Sequence, residues 1–263
     1  PDGVVVSYYL KERPQGDVAL DFMDLSGQII QRFSSQDDDE AQKVAATAGM
    51  NRFVWNMRYP PAHKIEGGRA MGQRGPLAPP GTYQVRLTVG GHSQTESFQI
   101  VKDPRVAATE DDFKAQFDLL IKIRDKLSET HDAVNELRSI RGQVGEWQNR
   151  AKGQPQADSV TSAADALKEK LSAIEGELTQ VEVKGTLDRF NPQTKLSGKL
   201  ADLTRVVDVA DFGPPKQAYD VFDDLSARID RQLVLLKGIV SSDVPVFNEL
   251  VSGLGLPAIV AAS

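Results

Sequence analysis

The chain has 263 residues, of which 40% are hydrophobic and 26% charged, with no Cys and a net charge of −6. This composition predicts a packed core rather than disorder, and it removes disulfides and thiolate metal sites. An acidic chain without a basic stripe argues against nucleic-acid and anionic-membrane partners, and no apolar run approaches the roughly 18 residues of a spanning helix.

Pro1-Asp2-Gly3 leads straight into an apolar run, without Met or a signal peptide, and the chain is therefore expected to be a piece of a longer polypeptide. Val4 to Leu10 reads as a strand. Asp17 to Asp24 alternates Val18, Leu20 and Phe22 against Ala19, Asp21 and Met23, which predicts a second strand. Leu25-Ser26-Gly27-Gln28 is a turn signal, and Ile29, Ile30 and Phe33 resume a strand, making a hairpin. Ser34 to Glu40 is polar and acidic and reads as a solvated loop.

Ala48 to Tyr59 alternates Phe53, Trp55 and Met57 with Val54, Asn56 and Arg58. This predicts a strand with Trp55 as the largest side chain of the core. Tyr83, Val85, Leu87 and Val89 alternate in the same way after Pro79-Pro80-Gly81, so Tyr83 joins that core. Gly90-Gly91 is a two-residue hairpin signal between Gln84–Val89 and Thr95–Val101. Six or seven short strands without a helix pattern predict an antiparallel β-sandwich over residues 1–105.

Between Tyr59 and Pro80 lies a long connection rich in Gly and Pro that carries His63, Lys64, Glu66, Arg69 and Arg74. Such loops are usually functional or disordered. A phosphate cradle would need a following helix and the Lys-Ser/Thr of a P-loop, and neither is present. The loop is expected either to be protease-sensitive or to pack on a neighbouring domain, and these five residues form the candidate interaction loop.

The order of strand, Asp-Leu-Ser-Gly turn, strand, Asn51-Arg52-Phe53-Val54-Trp55, Gly-rich loop and Pro80-Gly81-Thr82-Tyr83 carries a resemblance. The first module is similar to the Ig-like domain of bacterial flagellar hook-capping proteins. The whole chain, through Asp103-Pro104-Arg105 and the helices beyond, resembles the C-terminal region of bacterial BNR/Asp-box β-propeller proteins, which are often labelled sortilin-like or exo-sialidase-like glycosyl hydrolases. The resemblance implies a secreted or periplasmic protein. It places any glycosidase centre in a preceding propeller, since the repeated Asp-box turns do not occur in this chain.

After Asp103-Pro104 the period changes. Thr109 is a candidate N-cap with acids in the first turn, and Phe113, Phe117, Leu120, Leu127, Val134, Leu137, Val144 and Trp147 recur at helical spacing. This predicts one long helix whose last turns are weakened by Gly142 and Gly145. Val160, Ala164, Leu167, Leu171, Ile174, Leu178 and Val181 form a heptad seam that Gly185 would cap. Asn191-Pro192 predicts the start of a shorter helix with Leu196, Leu200, Leu203 and Val207. Ala218 to Val240 predicts a last long helix, followed by a helical turn at Pro245–Leu250 and an apolar tail from Leu254 to Ala262. An antiparallel helical bundle over residues 106–263 is expected. The acidic balance lies here: residues 1–105 hold 12 cationic and 12 acidic side chains, and the remainder holds 19 and 25.

His63, His92 and His131 are scattered, without ligand spacing. Asp37-Asp38-Asp39-Glu40 lacks the EF-hand spacing and its Gly. Asp21 and Asp24 are read as flanking a turn, and Asp111-Asp112 as capping a helix. No serine lies in a Gly-x-Ser-x-Gly context. No catalytic residue, cofactor or metal ligand is therefore assigned. The expected function is a non-catalytic accessory module for domain packing or protein–protein assembly, with the propeller of the same parent chain or a second copy as partner. The alternatives are a carbohydrate- or peptide-binding module and the lid of a glycoside hydrolase.

Overall fold

The computed structural model describes residues 3–40, 42–67, 74–180 and 195–254. The expectations at Arg69, Val181, Gly185 and Asn191-Pro192, and the tail beyond Leu254, lie outside them. The fold is α+β, with two antiparallel sheets followed by helices.

The strands are β1 (Val4–Leu10), β2 (Val18–Asp24), β3 (Ile29–Ser34), β4 (Gly49–Trp55), β5 (Gly81–Val89) and β6 (His92–Ile100). β1 pairs with β4, and the larger sheet has the order β3-β2-β5-β6. Period-two alternation places Val18, Leu20, Phe22, Phe33 and Tyr83 of the larger sheet in one core with Tyr8, Leu10, Phe53 and Trp55 of the smaller one. Trp55 is fully buried and stacks on Phe22 at 4.6 Å, with Tyr83 and Phe98 edge-on to it at 6.2 and 6.3 Å. Burial pushes the Tyr8 phenol up to about 12, so it stays protonated and donates to the Ala45 carbonyl at 2.5 Å.

The hairpin between β2 and β3 is closed by Asp24. Its Oδ1 accepts from the Ser26 hydroxyl at 2.6 Å and from the N–H groups of Ser26 and Gln28 at 2.9 and 3.0 Å. The bond from Ser26 is the main reason its carboxyl lies below the ordinary carboxylate range. The folded chain therefore holds this proton less readily than the unfolded chain. The stabilisation is complete above the ordinary carboxylate pKa and fades as pH falls through the lowered one. Asp24→Ala is expected to cost about 1 kcal/mol at neutral pH, and urea titrations repeated in acid should show the gap between variant and parent closing.

Asp21 differs from the expectation. It does not flank the turn. It sits inside β2 at 1% exposure, where its Oδ2 accepts from Arg86 at 2.8 Å and Arg32 lies 3.7 Å from Oδ1. The β-register explains this, because Asp21 is directly opposite Arg32 on one side and Arg86 on the other. A buried carboxylate persists in a strand only with such partners.

The helices are α1 (Glu110–Arg150), α2 (Ala157–Leu178), α3 (Leu196–Val207), α4 (Lys216–Gly238) and α5 (Val244–Ser252). Thr109 caps α1 reciprocally: its hydroxyl accepts from the Asp112 N–H at 3.2 Å, and Asp112 accepts from the Thr109 N–H at 2.8 Å. α1 continues through Gly142 and Gly145 to Arg150, with Val144 buried between the two glycines. A π-turn, Ile239–Asp243, leads from α4 into α5, and α2 packs on α4 and α5. No helix among the described residues is long and apolar enough to cross a membrane.

The chain divides into two compact units. The first comprises Pro1–Ala62, Gly72–Arg124 and Val207–Pro214, and the second His63–Met71, Asp125–Val206 and Pro215–Ser263. The sequence-based division at residue 105 follows the change of period. The compact units also reflect contacts distant in sequence, so the first takes in the start of α1 and the segment after α3. Within it, Gln116 donates to the carbonyls of Val207 and Ala210, both at 2.7 Å, and Arg58 lies 3.6 Å from Asp208.

Candidate functional site

The long connection between β4 and β5 is built in two parts. Its base belongs to the first unit. β4 ends at Trp55, and Met57 takes a left-handed conformation with φ 58°, which turns the chain. The turn is held by the Trp55 indole N–H donating to the Arg58 carbonyl at 3.3 Å and by the Ala78 N–H donating to the Met57 carbonyl at 2.7 Å. The two limbs then close on each other. The Tyr59 N–H donates to the Pro76 carbonyl at 2.9 Å, and the Arg58 guanidinium donates to the Gly75 carbonyl at 2.8 Å. Only glycine fits at position 75, because a Cβ there would lie 1.8 Å from the Tyr59 carbonyl oxygen. Tyr59 packs its ring on Phe117 at 4.8 Å. Burial raises the phenols of both Tyr59 and Tyr83, so both remain neutral, and Tyr83 donates to the Pro79 carbonyl at 2.8 Å.

The segment from His63 to Glu66 belongs to the second unit and lies along α1. The His63 N–H donates to the Ser128 hydroxyl at 3.1 Å, and the His131 ring Nδ1–H donates to the His63 carbonyl at 2.6 Å. Asn135 reads the next turn of the loop twice: its amide donates to the Lys64 carbonyl at 3.0 Å and its carbonyl accepts from the Glu66 N–H at 2.9 Å. Arg138 donates to the Glu66 carbonyl at 3.2 Å. The His63 side chain adds one hydrogen bond, from its ring Nδ1–H to the Asp132 carboxylate at 2.9 Å. Ser128, His131, Asp132, Asn135 and Arg138 recur at three- and four-residue steps and so share one face of α1.

The helix therefore grips loop backbone, while the side chains of Lys64 and Glu66, like Arg74 at the loop's base, remain exposed. His63 and His131, far apart in sequence, are brought together through a backbone carbonyl. Among the described residues no three His, Asp or Glu side chains gather as metal ligands. The α1 face was not assigned from sequence. Its signal is a helical recurrence of hydrogen-bonding residues beside the apolar stripe, which is hard to tell from an ordinary solvated face. Asn135→Ala removes two bonds to the loop. It is expected to raise the hydrogen-exchange rate of the Glu66 amide by roughly fivefold, the equivalent of about 1 kcal/mol of local protection.

Arg138 also contacts Glu175 of α2. Glu175 is fully buried among the apolar residues of its helix and is paired with Arg138 at 2.6 Å and with Arg141. Asp21, read as flanking a turn, and Glu175, to which no role was assigned, are both buried acids. Each is held inside by two arginines.

A second candidate surface is the outer face of the smaller sheet. Val5 faces Val54 and Tyr9 faces Met50 across the strands, and these four side chains are 43%, 38%, 66% and 70% exposed. The exposed pair Ser7–Arg52 lies between them on the same face. In the second unit, Leu203, Val206, Pro215, Ala218 and Val221 line a shallow apolar groove with Lys199 and Asp202 at its rim. No family model, curated protein or solved structure matches the chain.

Proposed function

We propose that the chain is a non-catalytic accessory module for domain packing or protein–protein assembly, the C-terminal companion of a β-propeller in a longer secreted or periplasmic protein. The observation that carries this reading is the two exposed apolar pairs on the outside of the smaller sheet, Val5–Val54 and Tyr9–Met50, which flank the exposed pair Ser7–Arg52. The buried acids Asp21 and Glu175 are engaged in ion pairs, which supports a structural role for both. The shared core of the two sheets supports an Ig-like β-sandwich, and the packing of α2 on α4 and α5 supports an antiparallel bundle. In this reading the exo-sialidase-like label belongs to the propeller alone.

Two measurements test the proposal. The coding sequence upstream of Pro1 should contain repeated Asp-box turns, and a different preceding domain would overturn the propeller assignment. Hydrogen exchange on the longer protein should show β1 and β4 slower than in the isolated chain. Equal rates would leave these apolar pairs without a partner and overturn the docking role.

A further inference from the structure

The larger sheet ends on β6, and among the described residues nothing pairs with its outer edge. β6 keeps one register with β5 over nine residues without a bulge. It contains neither Pro nor Lys, and His92 through Ser97 are all exposed. A long regular edge of this kind is a template for another strand.

The turn shows which groups the edge offers. Gly90 and Gly91 have φ 56° and 84°, the type I′ geometry of a two-residue hairpin. The flanking residues Val89 and His92 then exchange both backbone hydrogen bonds, and the pattern alternates from there. His92, Gln94, Glu96 and Phe98 bond to β5. The N–H and C=O groups of Ser93, Thr95, Ser97 and Gln99 face outward.

We propose that β6 pairs antiparallel with β6 of a second copy of this chain, with the two-fold axis at Thr95. A two-fold pairing that forms hydrogen bonds at its centre must be centred on one of the outward-facing residues. Centring on Ser93 leaves little strand to pair, and centring on Ser97 sets Phe98 against the Glu96 carboxylate. Centring on Thr95 sets Thr95 against Thr95 and Ser93 against Ser97, both favourable cross-strand pairs. It also sets Gln94 against Glu96 of the second copy. Gln94 already donates to Glu96 within its own strand at 3.0 Å, so the amide and the carboxylate have compatible reach. The Glu96 carboxylates of the two copies lie on a diagonal rather than opposite each other. Glu96 thereby selects against strands that bring another acid or an apolar side chain opposite it.

One strand edge buries well under the roughly 800 Å² per partner of a standard stable interface, so self-association is weak and depends on concentration. This inference rests on β6 alone and not on the accessory reading, and a monomeric chain would leave that reading untouched. Sedimentation of the full 263-residue chain over a concentration series should show the mass rising from one copy towards two. Thr95→Pro removes the central outward N–H and spares the bonds to β5, a position where an edge strand tolerates proline. Gln94→Glu sets acid against acid on an exposed site and keeps the test readable if the proline variant unfolds. Each is expected to weaken association by about tenfold or more, whereas Gln94→Lys should preserve or tighten it. A single-copy mass at every concentration would overturn the proposal. So would a dimer equally strong in the parent and in the Thr95→Pro and Gln94→Glu variants.

Discussion

Trp55→Ala is expected to destabilise the first unit by about 3–5 kcal/mol, the range for removing a large aromatic from a core. The indole lies at 0% exposure between Phe22, Tyr83 and Phe98, which come from three different strands. Its loss would leave a void that no single neighbour can fill, because those rings are held by their own strand registers. The variant would also lose the indole N–H bond to the Arg58 carbonyl, which helps to turn the chain after β4. The loss is a large part of the roughly 5–15 kcal/mol total stability of an ordinary domain. Urea titration should show the midpoint falling steeply, together with loss of near-ultraviolet circular dichroism. A variant that melts like the parent would mean that Trp55 is exposed, and a ligand-stacking role would then fit better.

The second large effect concerns Glu175. Removing both of its partners, as Arg138→Met with Arg141→Met, would leave a fully buried carboxylate without a counter-charge. A cost of about 3–5 kcal/mol is expected, as for other broken buried pairs. The arginine side chains are each about 30% exposed and can turn to water, so Glu175→Gln alone should cost much less. Adding Glu175→Met to the double variant should recover most of the loss, because the stranded charge disappears. Chemical denaturation of the three variants tests this. Equal losses in Glu175→Gln and in the double arginine variant would show that the pairs act independently of burial.

Much of the fold was legible because each element repeats a simple period. β1 runs over Val4–Leu10, as its apolar run predicts, and α2 buries Val160, Ala164, Leu167, Leu171, Ile174 and Leu178. Asp21 was read as flanking a turn, and Glu175 carried no assignment. By pattern Asp21 falls on the face opposite Leu20 and Phe22, and the heptad seam passes through Ile174 beside Glu175, yet both acids are buried. What keeps each of them there is a pair of arginines distant in sequence, and a local period carries no information about such partners. The loop at His63–Glu66 was harder still, because α1 holds it chiefly through backbone atoms, which any sequence supplies. Its side chains therefore leave little trace of the contact. The extent of the first unit was obscured similarly. Its helical part is held by Gln116 donating to two main-chain carbonyls and by the Arg58–Asp208 pair, none of which alters a period.

In the proposed role this chain contacts partners and does no chemistry of its own. The purified chain can be assayed directly against fluorogenic sialosides and a panel of other glycosides. No turnover above buffer is predicted, for the parent or for Glu66→Gln, the variant of the one acid in the loop. Turnover that survives repurification and is abolished by Glu66→Gln would contradict the claim and make the loop on α1 an active site.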